Sequence, residues 1–206
     1  AKARGDSLIC LLLSSALSGT YQSACIARDI CGYDQVYVVD STLAIIALRA
    51  MLDLGEQLRD QGLSAPEIVE KIEQAKGRMR VFGIVDTLEY LHKGGRMSTS
   101  VAIVGSLLKV KPVIALKNGA LGLVSKGVGS RGSLSAMLKV VGDEITPDPR
   151  LPIYYGYTDH DGLCRQFIAE MEAKFGPHPH EVYSVGSVIG THLGPGGAII
   201  AYLDKA

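Results

Sequence analysis

The sequence predicts an α/β fold in two lobes, on three observations. Short Val/Ile/Leu runs alternate with segments of helical period, the pattern of strands crossing to helices. Hydrophobic residues make up 47% of the chain, yet tryptophan is absent and phenylalanine occurs three times, so the interior is aliphatic. At 206 residues the chain can fill one large core or two small ones, since cores become independent at about 100 to 200 residues each.

Leu8 to Leu13 reads as a buried strand that runs into a hydroxyl-rich turn, Ser14 to Ala24. A helix follows from about Ser18 to Ile30, then a strand, Gln35 to Val39, ending at Asp40-Ser41-Thr42. Leu43, Ile46, Ala47, Ala50, Met51, Leu54 and Leu58 recur at helical spacing. Ser64-Ala65-Pro66-Glu67 is a capping box with proline in the first turn, opening a helix that carries Ile68, Val69 and Ile72 inward. The first lobe is thus expected over residues 1–78 and the second over 79–206, with a ligand between them.

In the second lobe, the strand Val81 to Val85 leads through Asp86-Thr87 to a short helix over Leu88 and Leu91, broken by Lys93-Gly94-Gly95-Arg96. A helix is expected over Ser98 to Leu108. Val113 to Leu116 and Leu121 to Ser125 form a hairpin across Asn118-Gly119. Helices over Leu134 to Ile145 and Leu163 to Phe175, the latter stopped by Gly176-Pro177, alternate with strands Ile153 to Tyr157, Glu181 to Val185 and Ala198 to Leu203. This lobe reads as a mixed sheet.

Twenty-one basic and twenty-one acidic residues cancel, which argues against a nucleic-acid surface or an anionic-membrane patch. No apolar run reaches the ~18 to 20 residues of a membrane span, and a cytoplasmic protein is expected. Cys10, Cys25, Cys31 and Cys164 form no C-x-x-C pair and read as reduced, buried thiols. Neither a metal nor a cofactor is expected. Of the other histidines, His178-Pro179-His180 follows a helix stop and His160 lies in a helix-start cluster, which argues against a metal site there.

The most informative site is the start of the first helix. A helix N-terminus leaves about four N–H groups without intrahelical partners and carries roughly half a positive charge, so it attracts anions. Ser14, Ser15, Ser18 and Thr20 put four hydroxyls within seven residues, around Gly19, where one cap would suffice. No lysine or arginine lies between Arg4 and Arg28, so this cradle offers dipoles, which suit a carboxylate better than a polyphosphate. The strand ends at Asp40-Ser41-Thr42 and Asp86-Thr87 read first as helix caps. Gly186 to Gly197 is glycine-rich around His192, with Gly190 and Gly194 at its sides; the histidine is either a ligand or a hydrogen-bonded core group. Lys126 to Ser133 could hold a phosphate on backbone N–H groups but lacks the G-K-[ST] of a P-loop. Lys93 to Arg96 reads as a helix-ending turn with a solvated charge, or else a second anion contact.

These blocks, in this order, resemble the DegV family of bacterial fatty-acid-binding proteins. The matching residues are the turn at Leu13 to Ala24, Val39-Asp40-Ser41, Asp86 to Leu91 with Lys93-Gly94-Gly95-Arg96, Gly105-Ser106-Leu107-Leu108 with Lys111-Pro112, and Ile189 to Gly196. The resemblance implies two α/β lobes, the first with a mostly parallel sheet, clasping one long-chain fatty acid. Its carboxylate would sit at the serine turn and its tail in an aliphatic tunnel. It further implies a non-catalytic, acyl-carrying subunit that offers the acid to a separate ATP-dependent fatty-acid kinase. On this resemblance Ser15 is the favoured carboxylate ligand, Ser14 its neighbour, and His192 approaches the head group. Arg131, with Arg96, falls among residues linked to phosphotransfer or partner contact. Family members also carry an N-terminal segment with a Thr-Ser-x-Pro turn, absent before Ala1, so a cut chain is expected. The alternative is a serine-dependent lipid hydrolase or acyltransferase using Ser15 or Ser18 with His192. Against it, the turn is not a G-x-S-x-G elbow and no carboxylate is identifiable as the histidine's partner.

Overall fold

A computed structural model describes residues 1–97 and 110–206. The helix expected over Ser98 to Leu108, and with it the Gly105-Ser106-Leu107-Leu108 block, lies outside the described residues. After a 3-10 turn at Lys2–Arg4, strand β1 (Leu8–Leu12) pairs in parallel with β2 (Val36–Asp40), Leu8 opposite Val36. Helix α1 (Thr20–Cys31) makes the crossover. α2 (Ile45–Asp60) buries Ile46, Ala47, Ala50, Met51, Leu54 and Leu58, the stripe its sequence period predicts. α3 (Ala65–Lys76) opens on the expected capping box, the Ser64 N–H donating to the Glu67 carboxylate at 2.8 Å.

Six strands form the larger sheet, in the order β5-β4-β3-β8-β6-β7. They are β3 (Met79–Ile84), β4 (Val110–Lys117), β5 (Ala120–Val128), β6 (Ile153–Tyr157), β7 (His180–Ser184) and β8 (Ala198–Leu203). Only β6 and β7 run parallel, so the sheet is mixed. The β4–β5 hairpin turns at Asn118 and Gly119, whose φ of 51° and 82° are the left-handed values such a turn needs. Central β8 is buried throughout. Its Ile199, Ala201 and Leu203 face a core shared with α2 and α3, while Ala198, Ile200 and Tyr202 face a second core under α5 (Gly129–Val141) and α6 (Gly162–Phe175). The first of these cores draws on both parts of the chain: Val39 and Met51 share it with Tyr154 and Ile199, and the Tyr154 hydroxyl donates to Asp53 at 2.7 Å.

Four features differ from expectation. α5 starts at Gly129 rather than Leu134, so Lys126 to Ser133 is the end of a strand and the first turn of a helix, not an open phosphate loop. Gly127 is required there, because a Cβ would lie 2.2 Å from the Gly132 carbonyl carbon where strand meets helix. Next, the glycine-rich stretch holds a helix, α7 (Ser187–Leu193), which packs against α4 (Glu89–Lys93). A glycine-containing segment this short has little helical stability of its own, so tertiary packing creates it. Of the four free cysteines only Cys164 is buried, its thiol pushed up to about 11 by burial and the nearby Asp161. Finally, Leu8 to Leu13, expected as a buried strand, buries no residue and among the described residues β1 has a strand on one side only, while α1 buries none either, leaving Ile26 61% and Ile30 81% exposed. No helix among the described residues is long and apolar enough to cross a membrane.

Asp148, buried beside β8, receives the Arg150 guanidinium at 2.9 and 2.6 Å and the Arg150 N–H at 3.1 Å. These hydrogen bonds hold its carboxyl below the usual range against the opposing effect of burial. The folded state therefore binds this proton less readily than the unfolded chain. The stability it confers is full above the ordinary Asp range, near about 4, and is lost as pH falls through the lower folded value. Thermal melts between pH 7 and 3 are expected to show Asp148→Asn about 1–3 kcal/mol less stable at neutral pH, with a shallower acid decline than the wild type.

Candidate functional site

On the α2-facing side of the large sheet lies a cavity of about 810 Å³, its open mouth included. Val81, Gly83, Ile114, Leu116, Leu121 and Ile199 form its sheet wall. Leu13 and Leu17 come from the turn after β1, Ala44 and Ile45 from the start of α2, Leu91 from α4, and Val188, Ile189 and Leu193 from α7. Among the described residues, three polar side chains, Ser18, Arg96 and His192, also line it. The walls are thus aliphatic, and the polar groups come from three separate segments.

Arg96 follows the Gly94-Gly95 turn that ends α4, where Gly95 takes a φ of 69°. Its Nε donates to the Leu17 carbonyl at 2.9 Å and Nη1 to the Gly94 carbonyl at 2.7 Å, tying the turn before α1 to the turn after α4. The Ser18 hydroxyl lies 2.8 Å from that of Thr20 and accepts the Thr20 N–H at 3.3 Å. The N–H groups of Tyr21 and Gln22 make no hydrogen bond among the described residues, so the start of α1 beside Ser18 keeps free donors. His192 projects from α7, and its Nδ1 is buried with no hydrogen-bond partner among the described residues.

The other expected ligands are placed differently. Ser14 is 1% exposed, and its hydroxyl donates to the Gly119 carbonyl at 2.7 Å while accepting the Ala16 N–H at 3.3 Å. It ties the hydroxyl turn to the β4–β5 hairpin and does not line the cavity. Ser15 also stands outside the lining; its N–H donates to Asp40 Oδ1 at 3.2 Å. Burial would raise the Asp40 carboxyl, but hydrogen bonds from the Ser15 side chain and from the Thr42 and Ser15 N–H groups, with Lys76 nearby, hold it below the ordinary range. Gly19 and Thr20 are exposed and flank Ser18, and Gly190 lies inside α7 with its carbonyl accepting the Gly194 N–H. Arg131 is exposed in the first turn of α5, outside the cavity. The two later strand ends act locally: Asp40 accepts the Thr42 N–H and Thr87 the Glu89 N–H, while Asp86 pairs with Lys111 at 2.6 Å.

The structure therefore brings Ser18 and His192 together and adds Arg96 as a full positive charge; the sequence reading expected dipoles at the serine turn and left Lys93 to Arg96 as either a solvated charge or a second anion contact. The Lys-Gly-Gly-Arg turn was the signal for Arg96, but nothing in the sequence placed it beside Ser18, 78 positions away.

The chain is similar throughout to known proteins. The family described as "Uncharacterised protein, DegV family" matches residues 1–205. Protein DegV of Bacillus subtilis is 32% identical over 203 residues, covering 97% of this chain and 72% of that protein. A DegV family protein from Thermus thermophilus, solved for its fatty acid binding, superposes with a TM-score of 0.86 at 29% identity, over 98% of this chain and 72% of that one. The Streptococcus pneumoniae Fatty Acid Kinase (Fak) B3 protein, loaded with linoleic acid, has the same fold, with a TM-score of 0.86 at 22% identity over 99% and 74% of the two chains.

Proposed function

The chain belongs to the DegV family, and on that premise we propose that it binds a long-chain fatty acid, tail in the aliphatic cavity and carboxylate against Ser18, Arg96 and His192. The carrying observation is the cavity lining among the described residues: apolar side chains on every wall, interrupted by the Arg96 cation and by the hydrogen-bonding groups of Ser18 and His192. A buried carboxylate is costly unless hydrogen bonds replace its water, and each such bond to a charged group contributes about 1.5–3 kcal/mol. The tail adds ~0.8 kcal/mol per buried CH₂, so it dominates affinity while the polar trio fixes which end faces the mouth. The Thermus relative's fatty acid binding supports the ligand class.

The finer part of the proposal is that this cytoplasmic protein performs no chemistry itself. It presents the carboxylate to an ATP-dependent kinase partner, whose transfer of the γ-phosphoryl group to a carboxylate oxygen yields an acyl phosphate and ADP. The name of the Streptococcus neighbour motivates that role. The hydrolase alternative is disfavoured by His192, whose buried Nδ1 has no carboxylate to orient it, so the triad geometry is missing among the described residues.

Arg96→Gln is the direct test of the head-group assignment. Titration with hexadecanoic acid should show binding weakened about ten- to a hundredfold, with hexadecanol affected little. Equal acid affinity in wild type and variant would reject Arg96 as the countercharge.

A further inference from the structure

We propose that Gly94 is a positioning residue that seats His192, and that the seat commits the ring to donate from Nε2 into the cavity. This rests on the fatty-acid reading above.

Helices α4 and α7 interlock through their terminal glycines. A Cβ on Gly194, at the end of α7, would lie 2.4 Å from Cδ2 of Tyr90 on α4. A Cβ on Gly94, at the end of α4, would lie 2.1 Å from Nδ1 and 2.8 Å from Cε1 of His192 on α7. Each short helix thus ends in a glycine that carries the other's aromatic ring. The two glycines differ in one respect that isolates the effect. Gly194 has a φ of 75°, which favours glycine for backbone reasons alone. Gly94 has φ −76° and ψ −4°, which any L-residue adopts, so the missing side chain at position 94 serves the imidazole and not the backbone.

The seat has a chemical consequence. Pressed onto Gly94, Nδ1 is buried and has no hydrogen-bond partner among the described residues. A neutral imidazole carries one N–H, and placing it on Nδ1 would bury an unsatisfied donor while aiming the bare Nε2 lone pair at a carboxylate. Placing it on Nε2 leaves the lone pair in the dry seat and turns a donor toward the ligand. His192 then gives a hydrogen bond to an acid head group without adding a second charge beside Arg96.

Gly94→Ala tests this. The two atoms a methyl group would strike under 3 Å belong to the imidazole, so the ring swings aside, while the Tyr90 carbonyl oxygen at 3.1 Å gives by a few tenths of an ångström in either His192 background. The variant is expected to fold and to bind hexadecanoic acid about ten- to a hundredfold more weakly than wild type. In a His192→Ala background the same substitution should change affinity less than twofold, because the methyl group enters the space the ring vacated. Long-range ¹H–¹⁵N spectra of ¹⁵N-histidine-labelled wild type should show His192 protonated at Nε2, a signal that Gly94→Ala alters. Equal losses in both backgrounds would make Gly94 merely structural and overturn the proposal, as would an Nδ1–H tautomer in the wild type. If the wild type bound no fatty acid, both this inference and the functional reading would fall. If it bound but Gly94→Ala bound equally well, this inference alone would fall.

Discussion

Leu121→Trp is expected to lower affinity for hexadecanoic acid more than a hundredfold while leaving the protein folded. Leu121 is half-buried on β5, opposite Leu116 across the hairpin, and both side chains line the cavity. An indole there fills space the alkyl tail needs. Excluding about four methylenes at ~0.8 kcal/mol each removes roughly 3 kcal/mol, a factor above a hundred. The hairpin tolerates the change because β5 is an edge strand whose residues alternate between exposed and half-buried. Titration with acids of increasing length separates the causes: octanoic acid should lose less than hexadecanoic acid. A folded variant that binds both as the wild type does would show that the tail lies elsewhere.

Ser14→Ala should do the opposite, costing stability and sparing binding. The Ser14 hydroxyl is buried, 105 positions from the Gly119 carbonyl to which it donates, and it also satisfies the Ala16 N–H. Removing it strands a carbonyl at the tight Asn118-Gly119 turn, a loss of about 1–3 kcal/mol. For a chain of this size each kcal/mol lowers the melting temperature by about 2–4 °C. Calorimetry should register that drop, while acid affinity stays within twofold. The reverse outcome, unchanged melting with weakened binding, would return Ser14 to the head group.

These two residues mark where the sequence was legible and where it was not. Elements with strong periodicity were readable, because burial on one face imposes the pattern directly. The α2 stripe from Ile46 to Leu58, the Ser64 capping box and the fully buried β8 all appear as the sequence predicts. The Asn118-Gly119 turn was equally plain, since its backbone angles select those residue types. Helix α7 was hidden because glycine density disguises a segment held by tertiary packing, against α4 and through Leu193 and Ile189 on the core. Within the candidate site, the hydroxyl turn and His192 were visible as residue types, but their division of labour was not. Whether Ser14 or Ser18 faces the cavity depends on where the distant Gly119 carbonyl lies, and Arg96 joins them through a bond to the Leu17 carbonyl. Such long-range contacts leave no local trace in the chain.

The central claim is that an aliphatic cavity carrying Arg96 as its cation, with Ser18 and His192 as hydrogen-bonding groups, selects a long-chain acid. Native mass spectrometry of the protein offered equal amounts of hexadecanoic acid, hexadecanol and methyl hexadecanoate tests it most directly. The expected spectrum is a one-to-one complex with the acid, at least tenfold above either neutral competitor. Equal occupancy by all three ligands, or none by any, would contradict the account.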